Sequence, residues 1–361
     1  MSIKKDKYFI GLANTLARNS LGYTGPNPSV GTVIVKNDNV ISFGITGRSG
    51  RPHSEVIALN KLSNKNKKNS TIYISLEPCA HFGKTPPCVN EIISSKPKRV
   101  VYSINDPDLR TSGKSFKILK SKKVKVTKNL LKNSSKLIYK NYFYSKKNNK
   151  PYIYGKLAIS KDFYSKDKKN FYITNNHSLM TTHILRSKVN CILTSSKTIN
   201  EDNPKLNCRI EGLSDSSPKV AILDKNLKIK KNCFIVKNAK NNKTFLFYNK
   251  IDHKKIKFLK SKKVILIHTP LYYNNLDFEF LLKRLSIYEI SSILVEAGKT
   301  LITSLLSKNL INEFYLFVSD KKLKNRGSSQ LKHIKISLSK KFKNNNFNET
   351  FLDKDNLIHY Y

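Results

Sequence analysis

At 361 residues, with 39% hydrophobic and 10% aromatic side chains, the chain is long for one core and comfortable for two packed domains. No apolar run approaches the roughly 20 residues of a membrane helix, and the short apolar stretch near the N-terminus is broken by Asn14, so the sequence reads as soluble and cytoplasmic with no membrane partner. The net charge of +44 does not by itself imply a nucleic-acid partner: only nine of the 68 basic residues are Arg, and Lys and Asn are spread through nearly every loop, which reads first as a drift from biased base composition and only second as a field that draws in small phosphorylated anions.

In chain order, Phe9, Leu12, Ala13, Leu16 and Ala17 recur at helical spacing and predict an opening amphipathic helix, broken by the turn residues of Gly22 to Pro28. Val30 to Val35 and Val40 to Ile45 read as paired strands around Asn37 to Asn39. A helix follows from about Ser54 to Leu62, then a strand at Thr71 to Ser75, a helix start at Pro86-Pro87 and a buried strand at Val100 to Ile104. The alternation predicts a layered α/β/α domain over residues 1–147. The charged run Lys146 to Lys150 before Pro151 reads as a linker. A second α/β domain, 151–361, follows with strands at Tyr152 to Ile159, Cys191 to Ser195, Val220 to Leu223, Thr244 to Tyr248, Val264 to Ile267, Ile293 to Glu296 and, last, Phe314 to Val318. Helices are expected at Ser178 to Ser187 and from Gly298 to Leu306, and the sheet is expected to be mostly parallel.

Five cysteines, an odd number, argue for reduced thiols and against a disulfide framework. Two of them belong to a constellation: Pro52-His53-Ser54-Glu55 opens a helix, and Pro78-Cys79 is followed, after eight residues, by Cys88. One imidazole and two thiolates are three zinc ligands with a fourth tetrahedral position left for water. Glu55, two residues past the first ligand, is placed to carry protons from that water to a departing amine. Zinc deaminases carry H-x-E followed by P-C-x-x-C; here the first half fits, whereas the cysteines stand further apart.

That departure matches a known pattern. Thr24-Gly25-Pro26-Asn27-Pro28-Ser29-Val30-Gly31, His53-Ser54-Glu55 and Leu76-Glu77-Pro78-Cys79-Ala80-His81-Phe82-Gly83-Lys84-Thr85-Pro86-Pro87-Cys88 closely resemble the bifunctional deaminase/reductase family of riboflavin biosynthesis. The resemblance implies a cytidine-deaminase-like N-terminal domain that binds one Zn2+ and removes the 2-amino group of a diamino-ribosylamino-pyrimidinone 5′-phosphate by hydrolysis. It also implies that Asn27, His81 and Lys84 hold this phosphorylated pyrimidine.

The second half resembles the same family's NADPH-dependent reductase domain, with a dihydrofolate-reductase-like fold, through Lys156 to Asp162, Tyr172-Ile173-Thr174, Leu185-Arg186-Ser187, Ile192 to Arg209 and Val295 to Leu301. The implied reaction is hydride delivery to the ribosyl C1′, which opens the sugar to a ribityl chain. The implied cofactor contacts are Ala158, Tyr172, Thr198, Asp202, Gly298, Lys299 and Thr300; the implied substrate contacts are Asn170, Arg186, Leu206, Arg209 and Glu296. Gly298 stands where a strand turns into a helix, so its neighbours' N–H groups can receive a phosphate. Arg186 and Arg209 are each suited to clamp a substrate phosphate, and Glu296 ends a buried strand, where a carboxylate needs a partner.

Three departures bear on the reductase half. Phe163 stands where the family has Gly, Tyr172 stands where it has Trp, and Lys321 to Gly327 replaces a Pro-x-Leu-Leu-Gly-Gly stretch. They leave open a deaminase whose C-terminal domain is a scaffold only. A nucleic-acid deaminase of the tRNA type is the other alternative; it shares the zinc chemistry but needs no second α/β domain. The resemblance is compatible with a homo-oligomer.

Overall fold

The Ser2 hydroxyl accepts the Lys5 N–H at 3.4 Å and starts the first helix, α1 (Ile3–Asn19), whose buried face carries Phe9, Ile10, Ala13 and Ala17. The structure, a computed structural model, describes residues 2–83, 85–170, 172–347 and 350–361. It divides into two units, Met1–Asn149 and Lys150–Tyr361.

The first unit is built on five strands: β1 (Gly31–Lys36), β2 (Asn39–Ile45), β3 (Thr71–Ile74), β4 (Arg99–Tyr102) and β5 (Lys125–Lys128). Their order is β2-β1-β3-β4-β5; β1 is antiparallel to both neighbours and the β3–β4 and β4–β5 pairs are parallel. Strand alternation sorts the side chains: Val33, Val35, Tyr73 and Val101 pack under α1. On the opposite face Ile34, Ile72, Ile74, Val100 and Tyr102 meet α2 (Ser54–Asn60), α3 (Cys88–Ser94) and α4 (Lys114–Ser121). This is the expected three-layer arrangement.

Two glycines set the helix–sheet spacing. A Cβ at Gly31 would stand 2.1 Å from the Ala13 carbonyl oxygen, and one at Gly44 would stand 2.1 Å from the Ser54 carbonyl oxygen and 2.7 Å from the Ala58 nitrogen. Helix α2 therefore lies directly on the backbone of β2, where the Ser42 hydroxyl also donates to the Ala58 carbonyl at 2.7 Å.

The run Lys146 to Lys150 is not wholly irregular. Helix α5 (Lys140–Asn148) continues through its first half and stops at Asn149, which takes a left-handed φ of 51°. Lysines do not break a helix, whereas the left-handed Asn and the following Pro151 do.

The second unit holds a nine-stranded sheet: β6 (Tyr152–Ile159), β8 (Cys191–Ser195), β9 (Lys219–Leu223), β10 (Thr244–Tyr248), β11 (Ile265–His268), β12 (Ser292–Glu296), β13 (Glu313–Val318), β15 (Asn345–Phe347) and β16 (Asn356–Tyr360). The order is β11-β10-β9-β8-β12-β6-β13-β16-β15, parallel from β11 through β13 and antiparallel beyond. Helices α6 (Asn176–Ser187) and α8 (Lys299–Ser307) follow the pattern read from the sequence, whereas the segment after β8, which reads as a loop, forms a short helix, α7 (Ser196–Asp202), capped by the Ser195 side chain. Strand β13 is not the last: β16 pairs with it, Phe314 opposite Tyr360.

Phe163 adopts the left-handed conformation itself, at φ 69°, and its N–H donates to the Ser160 carbonyl at 2.9 Å. The turn that glycine ordinarily supplies is thus kept, with the ring partly buried against the core. Beside it, the Asp162 carboxylate accepts the Leu323 N–H at 3.0 Å and the Lys324 N–H at 2.8 Å, so the rewritten Lys321 to Gly327 stretch is tied to this turn. Slight burial opposes ionisation there, but the Ser160 hydroxyl and those two N–H groups outweigh it and bring the carboxyl down to about 2. Strand β7 (Tyr164–Asp167) then pairs antiparallel with β14 (Gly327–Gln330).

Because α2 touches the β2 backbone, Gly44→Ala is expected to destabilise the N-terminal unit by about 1–3 kcal/mol and to lower the zinc content of the purified protein. Chemical denaturation and metal analysis check both.

Candidate active sites

His53 is the N-cap of α2, Cys88 is the first residue of α3, and Cys79 lies in the loop after β3. The ligand atoms of these three residues all lie within 4.8 Å of one another. His53 Nδ1 is 3.1 Å from Cys88 Sγ and 3.5 Å from Cys79 Sγ. Tetrahedral zinc with bonds of about 2.3 Å to sulfur and 2.0–2.1 Å to nitrogen needs ligand separations of roughly 3.5–3.8 Å, so the donor set fits a zinc ion. The Cys88 N–H donates to Cys79 Sγ at 3.2 Å, and the Val89 N–H donates to the Cys79 carbonyl at 3.2 Å. These bonds lock the two cysteines together. The hydrogen bond from Cys88, with His53 next, holds the Cys79 thiol well below the usual thiol range, while Cys88, its donor, is pushed up. The hydrogen bond to Cys79 raises His53.

Glu55 is buried, and one of its oxygens accepts from the Ser54 hydroxyl at 2.9 Å. That hydroxyl is itself 2.8 Å from the Thr32 hydroxyl on β1. Burial pushes the Glu55 carboxyl above its ordinary range and His53 draws it back, as suits a group that takes up a proton and returns it.

The other expected residues of this site are placed as follows. Asn27 donates through Nδ2 to the Gly50 carbonyl at 2.9 Å, which pins the loop leading into His53. His81 Nδ1 is 2.9 Å from the Thr111 hydroxyl, and burial, then Arg110, lowers its imidazole. Lys84 lies outside the described residues.

Sequence reasoning gave no role to Glu77, although it precedes Cys79 by two residues. Its carboxylate accepts the Asp106 N–H at 3.2 Å and the Gly113 N–H at 3.1 Å, bracing the loop that carries Thr111 to His81. In that loop burial raises the Asp106 carboxyl to about 7. An acid two residues before a ligand was the signal available for Glu77; for Asp106 and Thr111 there was none.

In the second unit Ala158, Thr198, Asp202, Glu296 and Gly298 to Thr300 lie on or just after the carboxyl ends of β6, β8 and β12, which are neighbours in the sheet. Ala158 is on β6; Thr198 and Asp202 are on α7, where the Ser195 hydroxyl accepts the Thr198 N–H at 3.2 Å. Gly298 caps α8, no side chain caps it, and a Cβ there would meet nothing within 4 Å. The first-turn N–H groups of α8, including those of Lys299 and Thr300, are therefore open to a phosphate, and the residues fit a nicotinamide dinucleotide. Lys299 Nζ reaches the Gln330 carbonyl at 3.4 Å, and Asp202 pairs with Lys166 at 3.6 Å. Asn170 donates to Asp167 at 3.0 Å, Tyr172 is half exposed, and Leu206 is buried at a φ of 50°.

Arg186 departs from the phosphate clamp expected of it. Its Nε and Nη2 donate to the two Glu296 oxygens at 2.6 and 2.9 Å, and Nη1 donates to the Asn207 carbonyl at 3.1 Å. A carboxylate with so little exposure needs this partner more than an external anion does. Burial pushes Glu296 up, but Arg186, with Lys156 behind it, holds the carboxyl below its usual range. Lys156, opposite Glu296 in register, is lowered by burial. Its signal in the sequence was a lysine inside an otherwise apolar strand. Arg209 keeps its guanidinium toward solvent, with one donor on Asn207 Oδ1 at 3.1 Å.

Residues 3–104 match the model for the cytidine and deoxycytidylate deaminase zinc-binding region, and residues 151–323 match the RibD C-terminal domain. The chain is 32% identical over 318 residues to the riboflavin biosynthesis protein RibD of Aquifex aeolicus, covering 88% of this chain and 87% of that protein. It is 34% identical over 337 residues to the RibD of Buchnera aphidicola subsp. Baizongia pistaciae, covering 89% and 88%. Among solved structures it is similar to Acinetobacter baumannii RibD, with a TM-score of 0.85 at 27% identity over 99% of both chains. It is also similar to a diaminohydroxyphosphoribosylaminopyrimidine deaminase/5-amino-6-(5-phosphoribosylamino)uracil reductase from Thermotoga maritima, with a TM-score of 0.83 at 26% identity over 99% of this chain and 98% of that one.

Two outcomes follow from the geometry. Cys88→Ser is expected to lose zinc, measured by elemental analysis, because one of three protein donors is removed. Arg186→Met is expected to cost about 3–5 kcal/mol of stability in the C-terminal unit, since it leaves Glu296 buried and unpaired, and the Arg186→Met/Glu296→Leu double substitution is expected to recover most of it in denaturation experiments.

Proposed function

The chain belongs to the RibD family of riboflavin biosynthesis, whose deaminase and reductase activities it carries, and on that premise we propose how its residues divide the work. The N-terminal unit hydrolyses the 2-amino group of 2,5-diamino-6-(5-phosphoribosylamino)pyrimidin-4(3H)-one. The C-terminal unit, with NADPH, then reduces the ribosyl group of the product to ribityl. The observation that carries the first assignment is the convergence of His53, Cys79 and Cys88 beside the buried Glu55.

His53, Cys79 and Cys88 would hold the zinc. Zinc, when bound, lowers the pKa of its water to about 7 and so supplies hydroxide at neutral pH. Glu55 would take up the proton of the attacking water and hand it to the amine, which leaves as ammonia while the water's oxygen stays on the ring as a carbonyl. Ser54, anchored on Thr32, orients the Glu55 carboxylate. Asn27 fixes the loop before His53, and His81, oriented by Thr111, faces the substrate.

In the second unit the α8 N-terminus at Gly298, Lys299 and Thr300 receives the NADPH phosphates, and Ala158, Tyr172, Thr198 and Asp202 line the rest of the cofactor's path. NADPH supplies the hydride. Asn170, Leu206, Arg209 and the Arg186–Glu296 pair hold the substrate, with the pair acting as a fixed polar wall. The left-handed turn kept at Phe163 supports a working pocket over a mere scaffold. A nucleic-acid deaminase would leave this second unit without a role.

Among the described residues no helix is long and apolar enough to cross a membrane. Five cysteines without a disulfide between them support a reducing, cytoplasmic setting.

Glu55→Gln should retain zinc and reduce ammonia release from the phosphorylated pyrimidine by at least about 100-fold. NADPH oxidation with the deaminated product tests the second half: turnover is expected, and none, alongside an intact deaminase, would make the C-terminal unit a scaffold.

A further inference from the structure

The loop from Asp106 to Gly113, which brings Thr111 to His81, is gripped from outside as well as by Glu77. The outer support is α5, a helix that carries none of the expected site residues and ends in the lysine run begun by Lys146. Tyr142 and Lys146 stand about one turn apart on it and so share a face. The Tyr142 hydroxyl donates to Asp106 Oδ1 at 3.0 Å, and Lys146 Nζ donates to Asp108 Oδ2 at 3.0 Å. The Lys146 ammonium also lies 5.6 Å from the centre of the Tyr142 ring, so the two side chains brace each other.

Each of these carboxylates organises backbone within the loop. Asp106 Oδ1 also accepts the Asp108 N–H at 2.9 Å. Asp108 Oδ1 accepts the Arg110 N–H at 3.0 Å, and the Arg110 guanidinium closes on both carboxylate oxygens at 2.9 and 2.7 Å. The Asp108 carbonyl accepts the N–H groups of Thr111 and Ser112, each at 2.8 Å. Asp106, Asp108 and Thr111 are buried, so water weakens these bonds little. Thr111 then meets His81 Nδ1 at 2.9 Å. A continuous line of contacts thus runs from Tyr142 through Asp106, Asp108 and Thr111 to His81. Burial, then Asp106, pushes the Tyr142 phenol up, so its hydroxyl remains a donor through neutral pH. A helix that only packed on the core would need neither a phenol hydroxyl nor an ammonium at these two positions.

We propose that Tyr142, seconded by Lys146, is a positioning residue for the deamination: through the Asp106 to Thr111 turn it aims His81 at the pyrimidine and so sets the affinity for that substrate. The inference rests on the deaminase reading above and on His81 facing the substrate. It gives α5 a part in the site although none of its residues touches the substrate.

The test follows ammonia release from the phosphorylated pyrimidine by the full-length zinc protein. Tyr142→Phe should raise KM about 3- to 10-fold, the worth of one hydrogen bond, with kcat and zinc content nearly unchanged. Lys146→Met, at a half-exposed position, should raise KM about 2- to 3-fold, and Lys146→Arg should keep it near the wild-type value. Thr111→Val cuts the line at its last link, so adding Tyr142→Phe to it should change KM no further. Losses that multiply in this double variant, a KM untouched by Tyr142→Phe, or a fall in kcat or zinc instead would make α5 a structural support only and overturn the proposal. An unchanged KM in His81→Ala would show that His81 does not face the substrate, and the proposal would fall with that assignment. Wild-type protein that releases no ammonia would instead remove the deaminase reading, and this inference with it.

Discussion

One nitrogen and two sulfur donors must meet around one small volume, and the N-terminal unit is organised by that requirement. Two of them come from helix starts, at His53 and Cys88, and the third from the loop after a parallel strand. A tetrahedral ion tolerates little error in such separations. The approach of α2 to β2 at Gly44 sets the height of His53 and Glu55 above the sheet. The Cys88 N–H on Cys79 Sγ sets the other side of the triangle from the backbone itself. Further out, Glu77 and Thr111 carry the same order to His81 through backbone and hydroxyl hydrogen bonds.

The C-terminal unit meets a different constraint, the cost of charge at the end of a buried strand. Glu296 is kept ionised by a two-pronged contact with Arg186 and by Lys156 on the neighbouring strand. Such a group is costly to desolvate and earns its place by holding its geometry. Nearby, the loop that departs most from the family pattern is rebuilt on one carboxylate: Asp162 gathers the backbone of Leu323 and Lys324 while Phe163 supplies the left-handed turn. The pocket's frame survives by a change of chemistry.

The charge of the chain reads differently once burial is known. Of 24 acidic residues, Asp6, Glu55, Glu77, Asp106, Asp108, Asp224, Glu313 and Asp355 are buried, and nearly all of these hold a backbone N–H, a hydroxyl or a cation. The lysine excess is therefore a surface property, where single charges have little effect on stability.

Local order along the chain was legible in the sequence, because hydrophobic period and turn residues act over a few positions. Most strands, the helices at Ser54 and Cys88 and the ligand set of His53, Cys79 and Cys88 could be read that way, the last because spacing and residue type together restrict the chemistry. Distance between remote segments could not. The short C-terminal strand β16, the pairing of Arg186 with Glu296 across 110 positions and the Glu77 brace leave no periodic trace. Each depends on which surfaces the packed sheet brings within a few ångströms, and only the tertiary structure decides that.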